Sequence, residues 1–410
     1  MKEENVEKKK NRKNRKNGMK NVYYLGATSF FADVSTEMIA PIIPIFLSLF
    51  GASGLVIGFI EGIAKASEHI LSILSGYLSD KLKKRKIIIT LGYFISAVMK
   101  GLFAIVTSWF GFLFLRTLER AGKAIRNPPR DALIAESIGK REARKGFAIH
   151  RILDTLGAIV GPLVTILLIS LLTLDLKETL GLFRLLFVVS MLFGMISVFI
   201  VIVFVKDYRG ERIEKRERNT GKTGKIENVE FKLSFDFNEK TKSFLIFSFI
   251  FYIGLPIMAI FYLRASDVGL IVSELFLSSF IFNFLYILGA AFCSKMKFRS
   301  KDILIVSSAL ISIILIMFSI NSILIFLMSF AIFGFLFGIF EVETKNYIQE
   351  IVERDKIASL YGIHRTLTGI SILLCGILMG SLWDYFREIV FIIASIISIS
   401  SVIFFKFFSN

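Results

Sequence analysis

Charged side chains recur at helical spacing within apolar stretches in the first half of this 410-residue chain. Asp33 and Glu37 are four residues apart, which places both carboxylates on one face of a helix. Two more sets have i, i+4, i+7 spacing: Glu61, Lys65 and Glu68, and Arg116, Arg120 and Lys123. A carboxylate beside fixed cations can exchange a proton or bind a charged solute, because neighbouring charges and access to water set its affinity for the proton. The pattern therefore suggests ion binding and proton exchange.

The elements that must position these charges are membrane helices. Hydrophobic residues make up 54% of the chain, phenylalanine alone numbers 43, and the mean hydropathy is +0.68. Apolar runs of about 20 residues, each enough to cross roughly 30 Å of hydrocarbon, recur along the chain. They lack the strict alternation of barrel strands, which indicates helices. Twelve spans are predicted, at residues 22–50, 55–79, 87–107, 109–126, 147–173, 181–205, 243–263, 269–293, 303–320, 322–344, 362–383 and 388–408.

An internal repeat relates the two halves. The pair His150 and Arg151 in "AIHRILDT" recurs 214 residues later as His364 and Arg365 in "GIHRTLTG". The same offset aligns "SDKLKKRK", which begins at Ser79, with "CSKMKFRS". Two matches at one offset indicate duplication. We therefore predict a basic tail (1–21), an N-terminal six-helix bundle (22–205), a linker (206–242) and a C-terminal six-helix bundle (243–410).

The net charge of +17 is interpreted as a topology signal rather than as a nucleic-acid surface. Lys and Arg fill the tail, the central linker and alternate links such as Lys81–Lys86, while the intervening links, such as "GASG", are nearly bare. By the positive-inside rule, this alternation predicts a multi-pass protein of the cell membrane with both termini in the cytoplasm. The tail lacks a cleavage site of small residues, so it is not read as a signal peptide. We expect it to have no regular structure.

Two motifs of the first half resemble the major facilitator superfamily. "GYLSDKLKKRK", Gly76–Lys86, is similar to the loop signature between the second and third helices of that family. "RTLERAG", Arg116–Gly122, is similar to its helix 4 motif, although Glu119 replaces the usual glutamine and Arg120 replaces a glycine. The resemblance extends from about Val22 onward. It implies an all-α integral membrane fold of twelve helices in two pseudo-symmetric six-helix bundles, built by parallel duplication.

Two further motifs resemble the drug/proton antiporter branch of that family. "PIIP", Pro41–Pro44, is similar to a proline pair in the first helix. "GAIVGP", which contains Gly157, Gly161 and Pro162, is similar to the antiporter motif of helix 5, although the glycine pair that usually follows is absent. The glycine spacing also lets helices approach closely, and the proline would bend the helix.

The resemblance implies that helices 1, 4, 7 and 10 line a central cavity. Intramembrane charges cost roughly 2.5–3.5 kcal/mol each on insertion scales, so they default to functional hypotheses. The candidate substrate and proton pathway consists of Asp33, Glu37, Arg116, Glu119, Arg120 and Lys123. We expect Asp33 to lie near Arg116 or Arg120. The repeat positions of the second half are mostly apolar, so its wall is predicted to be aromatic, with Tyr252, Phe335, Phe337 and Phe340.

Buried ion pairs that fix helix register are the structural alternative for these charges. It is favoured for the set at Glu61, because Glu61 and Lys65 can pair within their own helix. A functional role is favoured for Asp33 and Arg116, and both readings stay open for Glu37 and Glu119.

A second group of residues is predicted to form gates at the cytoplasmic helix ends. In relatives, an acid in the position of Asp80 acts with basic residues as a latch toward the amino end of helix 11, although an ordinary helix cap is an equal alternative. His150 and Asp154 have spacing compatible with metal ligation, but only three histidines exist and no third ligand is indicated, so no metal site is expected. The complete gate set is Asp80, Arg85, Arg126, Arg130, His150, Arg151, Asp154, His364 and Arg365.

The leading functional hypothesis is a secondary active transporter that moves a small solute by alternating access, with proton-coupled export. The alternatives are an uptake transporter or uniporter for an organic anion or another small solute, and a non-transporting membrane sensor on the same fold. The sequence contains no phosphate-binding loop or nucleophile elbow, so no enzyme is predicted. The expected partners are the solute, the proton and the lipid bilayer, with no nucleic acid and no cofactor, and the protein is expected to be a monomer.

Overall fold

Helices form at each predicted apolar run in the computed structural model, which describes residues 2–82, 84–138, 143–172, 179–207, 238–293, 296, 298–352 and 357–408. The first half contains α1 (Lys2–Glu37), α2 (Ile43–Leu49), α3 (Gly54–Leu82), α4 (Arg85–Leu102), α5 (Trp109–Ile138), α6 (Ala143–Leu172) and α7 (Thr179–Phe204). The second half contains α8 (Glu239–Gly254), α9 (Met258–Asp267), α10 (Val272–Cys293), α11 (Ser300–Met317), α12 (Ile323–Ile351), α13 (Ile357–Tyr385) and α14 (Ile389–Phe408).

These helices make twelve membrane spans. Within the described ranges, ten stretches are long and apolar enough to cross a bilayer, and two of these are the pairs α1–α2 and α8–α9. The other two spans are α3 and α5, which are 29 and 30 residues long and carry the charged sets found in the sequence. The predicted all-α membrane fold is confirmed, and the chain is a multi-pass integral membrane protein.

The first span of each half is broken at an equivalent depth. α1 ends at Glu37 and α2 begins at Ile43, with Pro41 in the short 3-10 turn between them. α8 ends at Gly254 and α9 begins at Met258, with Pro256 in the break. Proline lacks a backbone N–H and clashes with the preceding turn, so each break has a local cause. The repeat offset of 214 residues carries the first break onto the second.

An equivalent contact in each half supports the same repeat. Glu136, near the end of α5, pairs with Arg85 at the start of α4, with a distance of 2.8 Å from Oε1 to Nη2. Glu350, which lies 214 residues further along, accepts a hydrogen bond of 2.6 Å from Ser300 at the start of α11. A carboxylate near the end of one helix thus holds the start of a neighbouring helix in both bundles.

Hydrogen bonds between helix ends define the two sides of the bundle. On the side that carries the chain ends, Asn21 of α1 donates to Ser137 of α5 at 2.8 Å, and Ser243 of α8 donates to the Phe408 carbonyl at 2.8 Å. We call this the terminus side and the opposite face the far side. The expectation for the tail is wrong, because α1 begins at Lys2. Most of the predicted linker lies outside the described residues.

Candidate functional site

A cavity of about 470 Å³ lies between the two bundles, and its walls differ in chemistry. The first bundle contributes a charged wall that includes Glu37, Glu61, Lys65, Arg116, Arg120 and Lys123. The second bundle contributes an aromatic wall that includes Tyr252, Tyr262, Phe282, Tyr286, Phe333 and Phe337. The predicted asymmetry is present, although Phe333 lines the cavity and the expected Phe335 and Phe340 do not.

Arg116 is the centre of a buried ion-pair network on α5. Its guanidinium makes a bidentate pair with Glu61 of α3, with distances of 2.7 Å from Nε to Oε1 and 3.0 Å from Nη2 to Oε2. Its Nη1 donates to Glu119 at 3.0 Å, and Ser96 of α4 donates to the same carboxylate at 3.2 Å. Glu61 therefore pairs with a residue of another helix. The sequence had suggested a pair with Lys65 within α3. Since all three guanidinium nitrogens are engaged, the side chain is held in one position.

Arg120, one turn further along α5, extends this network to a second carboxylate of α3. Its Nη1 lies 3.4 Å from Glu68, and its Nε lies 3.4 Å from Glu119. Lys65 also pairs with Glu68, at 3.2 Å, while 39% of its own side-chain surface stays exposed at the cavity. The α3 carboxylates thus hold α3 against α5, and the cationic groups face the solute space.

The two carboxylates of α1 have different surroundings. Asp33 lies 4.0 Å from the ammonium of Lys123. The expected contact with Arg116 or Arg120 is not made, because those arginines are directed at the α3 carboxylates. Glu37 lines the cavity and makes no ion pair with any residue that the structure describes. Of the two acids, Glu37 is the one with direct access to a solute.

Lys100 of α4 is a buried cation with an unusual set of partners. Only 1% of its surface is exposed, and its ammonium donates to the hydroxyls of Ser35 at 2.7 Å and Thr36 at 3.1 Å. No carboxylate lies within ion-pair distance of it in the described part of the chain. Thr36 also lines the cavity. Lys100 is therefore linked to the solute space indirectly, through its hydrogen bond to the Thr36 hydroxyl.

The sequence-predicted gate residue Arg151 of α6 connects the two bundles on the terminus side. Its guanidinium donates to the Tyr286 hydroxyl of α10 at 3.0 Å and lies 3.9 Å from Glu341 of α12. Tyr286 in turn donates to Glu341, and Lys345 lies 3.6 Å from the same carboxylate. Asp154 pairs with Arg151 at 3.6 Å within α6. These contacts form a polar bridge from α6 to α10 and α12.

The other predicted gate residues around His150 make contacts within the first bundle. His150 is hydrogen-bonded to Ser29 of α1 at 2.9 Å, and Arg130 donates to the same hydroxyl at 3.0 Å. The Arg126 guanidinium lies 4.2 Å above the ring of Tyr93. In the described residues, no metal-holding group of three or more His, Cys, Asp or Glu side chains occurs.

The remaining predicted residues have varied surroundings. The side chain of Asp80 lies outside the described part of the structure, so the expected latch stays a prediction. Arg365 is exposed, whereas His364 is buried and stacks on Phe244 with ring centroids 5.4 Å apart. The motif glycines Gly157 and Gly161 lie against the backbone of α1, and Pro162 lies inside α6.

On the far side, the bundles are joined by α3 and α13. Asp384 accepts hydrogen bonds from the amides of Gly54 at 2.5 Å and Leu55 at 3.0 Å, the first residues of α3. A Cβ atom on Gly58 would overlap the carbonyl oxygen of Gly376. The helices therefore touch backbone to backbone, and both sides of the cavity are bounded by contacts between bundles.

Several residues of this site were missed at the sequence level. Tyr286, Glu341 and Asp384 lie in the second half, which was interpreted as an apolar wall, although an acid inside an apolar run such as that of Glu341 is a recognisable signal. His69 also lines the cavity. Its spacing of four from Lys65 continues the charged face of α3.

Comparison with known proteins places the chain in a family. The Major Facilitator Superfamily profile matches residues 25–263. An uncharacterized MFS-type transporter of Methanocaldococcus jannaschii is 32% identical over 402 residues, which cover 96% of this chain and 96% of that protein. The chain therefore belongs to the major facilitator superfamily, as the motifs indicated. It is a membrane transporter of small solutes and not an enzyme.

More distant similarities concern part of the sequence or the fold alone. The quinolone resistance protein NorA of Staphylococcus aureus is 25% identical over 143 residues, 35% of this chain and 37% of that protein. The solved structure of the nucleoside transporter NupG superposes with a TM-score of 0.74 at 17% identity, over 95% of this chain and 98% of that one. A D-xylose-proton symporter gives 0.72 at 13% identity, over 96% and 98%.

Proposed function

We propose that this protein is a proton-coupled exporter of amphipathic solutes that works by alternating access as a monomer in the cell membrane. Both termini are cytoplasmic in this proposal, so the terminus side faces the cytoplasm. The observation that carries it is the carboxylate of Glu37, which lies in the cavity opposite the aromatic wall, without an ion pair to any described residue. Similarity to a protein named for quinolone resistance favours the direction of transport.

Glu37 can couple the movement of the solute to the movement of protons, because either a proton or a cationic group of the solute can neutralise its carboxylate. An ionised carboxylate in a cavity with little water is costly, and a proton or a cationic group of the solute removes that cost. The aromatic wall supplies apolar contact and attracts cations through the ring faces. Proton and solute therefore compete for Glu37, so proton entry on one side displaces the solute there. Asp33 is the second candidate, since protonating it would release Lys123 from their 4.0 Å contact.

The contacts between bundles supply the alternation. Opening the far side requires separation of Asp384 from the start of α3, and opening the terminus side requires separation of Arg151 from Glu341 and Tyr286. Each set lies on one side of the cavity, so one can break while the other holds. The rigid network around Arg116 would move as part of the first bundle.

Uptake of an organic anion is the second candidate function, and it is supported by the cationic side chains of the charged wall. Lys65, Arg120 and Lys123 line the cavity, and the ion pair of Lys123 among the described residues is its long contact of 4.0 Å with Asp33. These groups could hold a carboxylate or phosphate of a solute. The two candidates differ in the sign of coupling, because protonating Glu37 would strengthen the binding of an anion and weaken the binding of a cation.

Reconstitution into liposomes with an imposed proton gradient tests the proposal. The panel consists of ciprofloxacin, a quinolone, with ethidium as an amphipathic cation, naphthalenesulfonate as an amphipathic anion and uridine as a nucleoside. Export is supported if a panel compound moves against its gradient as protons move the other way. Glu37→Gln should abolish that flux, while Glu239→Gln, whose side chain is 86% exposed, should leave it unchanged. Undiminished flux in Glu37→Gln would remove this carboxylate from the mechanism.

A further inference from the structure

We propose that the proton travels between the cavity and the terminus side through His69, Thr368 and His364, along the contact between α3 and α13. This inference rests on the proposed proton-coupled function and adds a route that is separate from that of the solute.

Three buried polar atoms at this contact have unused hydrogen-bonding capacity. They are Nδ1 of His69, Oγ1 of Thr368 and Nε2 of His364, and none has a partner in the described part of the chain. Only 5% of Thr368 and 7% of His364 are exposed. Nearly all buried polar groups in proteins are paired with protein or with ordered water. Three unpaired groups beside a cavity therefore indicate a site where water completes the hydrogen bonds.

The three residues form a series that leads away from the cavity. His69 and Thr368 both line it. His364 precedes Thr368 by one helical turn on the same face of α13, and it lies two turns after the start of that helix at Ile357. The two helices touch here, because a Cβ atom on Gly369 would lie 3.0 Å from the Cβ of His69. The series thus extends from the solute space toward the terminus side.

The chemistry of these groups suits proton transfer. A neutral imidazole accepts a proton at one nitrogen and releases one from the other, and a hydroxyl both donates and accepts. A proton that arrives at one nitrogen of His69 can thus be replaced by one that leaves its other nitrogen, with no net change in the protein. The charged groups that act most strongly on His69 include Lys65, Glu68, Arg365 and Glu341.

The route is too confined for an organic solute. The ring of His364 stacks on Phe244 and meets Tyr252 edge-on at 6.3 Å between centroids. Tyr252 belongs to the aromatic wall, so His364 lies directly behind that wall. Water and protons can occupy such a space, whereas an amphipathic solute is held in front of it.

Transport in two modes tests this path in proteoliposomes. His69→Gln and His364→Gln keep a polar side chain but remove the titratable imidazole, and Thr368→Val keeps the shape of the side chain without the hydroxyl. The panel compound that the wild type carries fastest is measured under an imposed proton gradient and in counterflow at equal pH, which requires no net proton movement. We expect gradient-driven flux to fall at least about tenfold in both histidine variants, because proton transfer by a positioned side chain contributes at least that factor, while counterflow stays near the wild-type rate.

An exposed titratable residue provides the control. Glu239→Gln also removes one titratable group, but the Glu239 side chain is 86% exposed at the start of α8, so this variant should keep both modes. Gradient-driven flux that survives in His69→Gln and His364→Gln would overturn the path. An equal loss of both modes would also overturn it, because that result means a role in folding or solute binding. If the wild type itself shows no proton-driven flux, the proposed function fails first, and the wild-type arm alone reveals this.

Discussion

Asp384 at the end of α13 caps the first turn of α3, with its carboxylate 2.5 Å from the amide nitrogen of Gly54. The first amides of a helix have no partners within the helix, and the positive end of its dipole favours an anion. The sequence motif at Asp80 suggested a latch between the same two helices on the terminus side. That latch stays a prediction, and the contact of Asp384 is a separate one on the far side, with the acid on α13 and the amides on α3.

Asp384→Asn should weaken closure of the far side. A hydrogen bond to a charged group contributes about 1.5–3 kcal/mol, so the far-side-open population should rise roughly tenfold or more. The measurement is the rate at which an impermeant maleimide, added on the far side, labels a cysteine placed at Ile372, which lines the cavity. The background carries Cys293→Ser and Cys375→Ser. Glu388→Gln, at the same end of the bundle, serves as the control, and equal labelling rates in both variants would contradict the latch.

Gly58→Ala should disrupt the contact between α3 and α13. The added methyl would overlap the Gly376 carbonyl oxygen, and a backbone atom is unable to move aside as the end of a side chain can. We expect transport to be lost, with the same labelling assay showing an open far side. Gly111→Ala is the matched control, because the nearest atom to its Cβ would be 3.5 Å away. Normal transport in Gly58→Ala would show that the helices separate without cost.

Reversing the charges of Arg151 and Glu341 should reveal whether their contact closes the terminus side. Each single reversal places like charges 3.9 Å apart and should raise labelling of the Ile372→Cys reporter from the terminus side. The double variant Arg151→Glu with Glu341→Arg should restore closure at least in part, and the difference from the sum of the single effects measures the coupling. Additive effects would mean that the two residues act independently.

Arg116→Leu should destabilise the protein strongly. It would leave Glu61 and Glu119 buried without their main partner, and breaking a buried pair in this way costs about 3–5 kcal/mol. Thermal unfolding in detergent measures the loss. Lys242→Ala, which removes an exposed pair with Glu239, should cost less than about 1 kcal/mol. Equal midpoints for the two variants would refute a structural role for the network.

The architecture could be predicted from the sequence, because hydropathy gives the number and length of the membrane spans and the internal repeat gives the relation between the two halves. The spans, the duplication offset and the contrast between a charged and an aromatic wall all follow from residue type at known spacing. Even the breaks at Pro41 and Pro256 have a local cause.

The pairing of charges could not be predicted in the same way. Helical spacing fixes which residues share a face, but it does not fix how each helix is rotated toward its neighbours. Asp33 therefore pairs with Lys123 and not with Arg116, and Glu61 pairs with Arg116 and not with Lys65. For the same reason, Phe333 replaces Phe335 on the cavity wall. Asp384 was missed because a helix cap contributed by a distant segment leaves no local pattern.

Because the two walls of the cavity differ in chemistry, the aromatic wall can change in evolution without changes in the charged wall. Exchanging one ring for another in the second bundle changes the fit of a cargo and leaves the ionic lattice of the first bundle intact. Altered preference for the apolar part of a cargo should thus arise from changes in the second half of the gene, which encodes the aromatic wall.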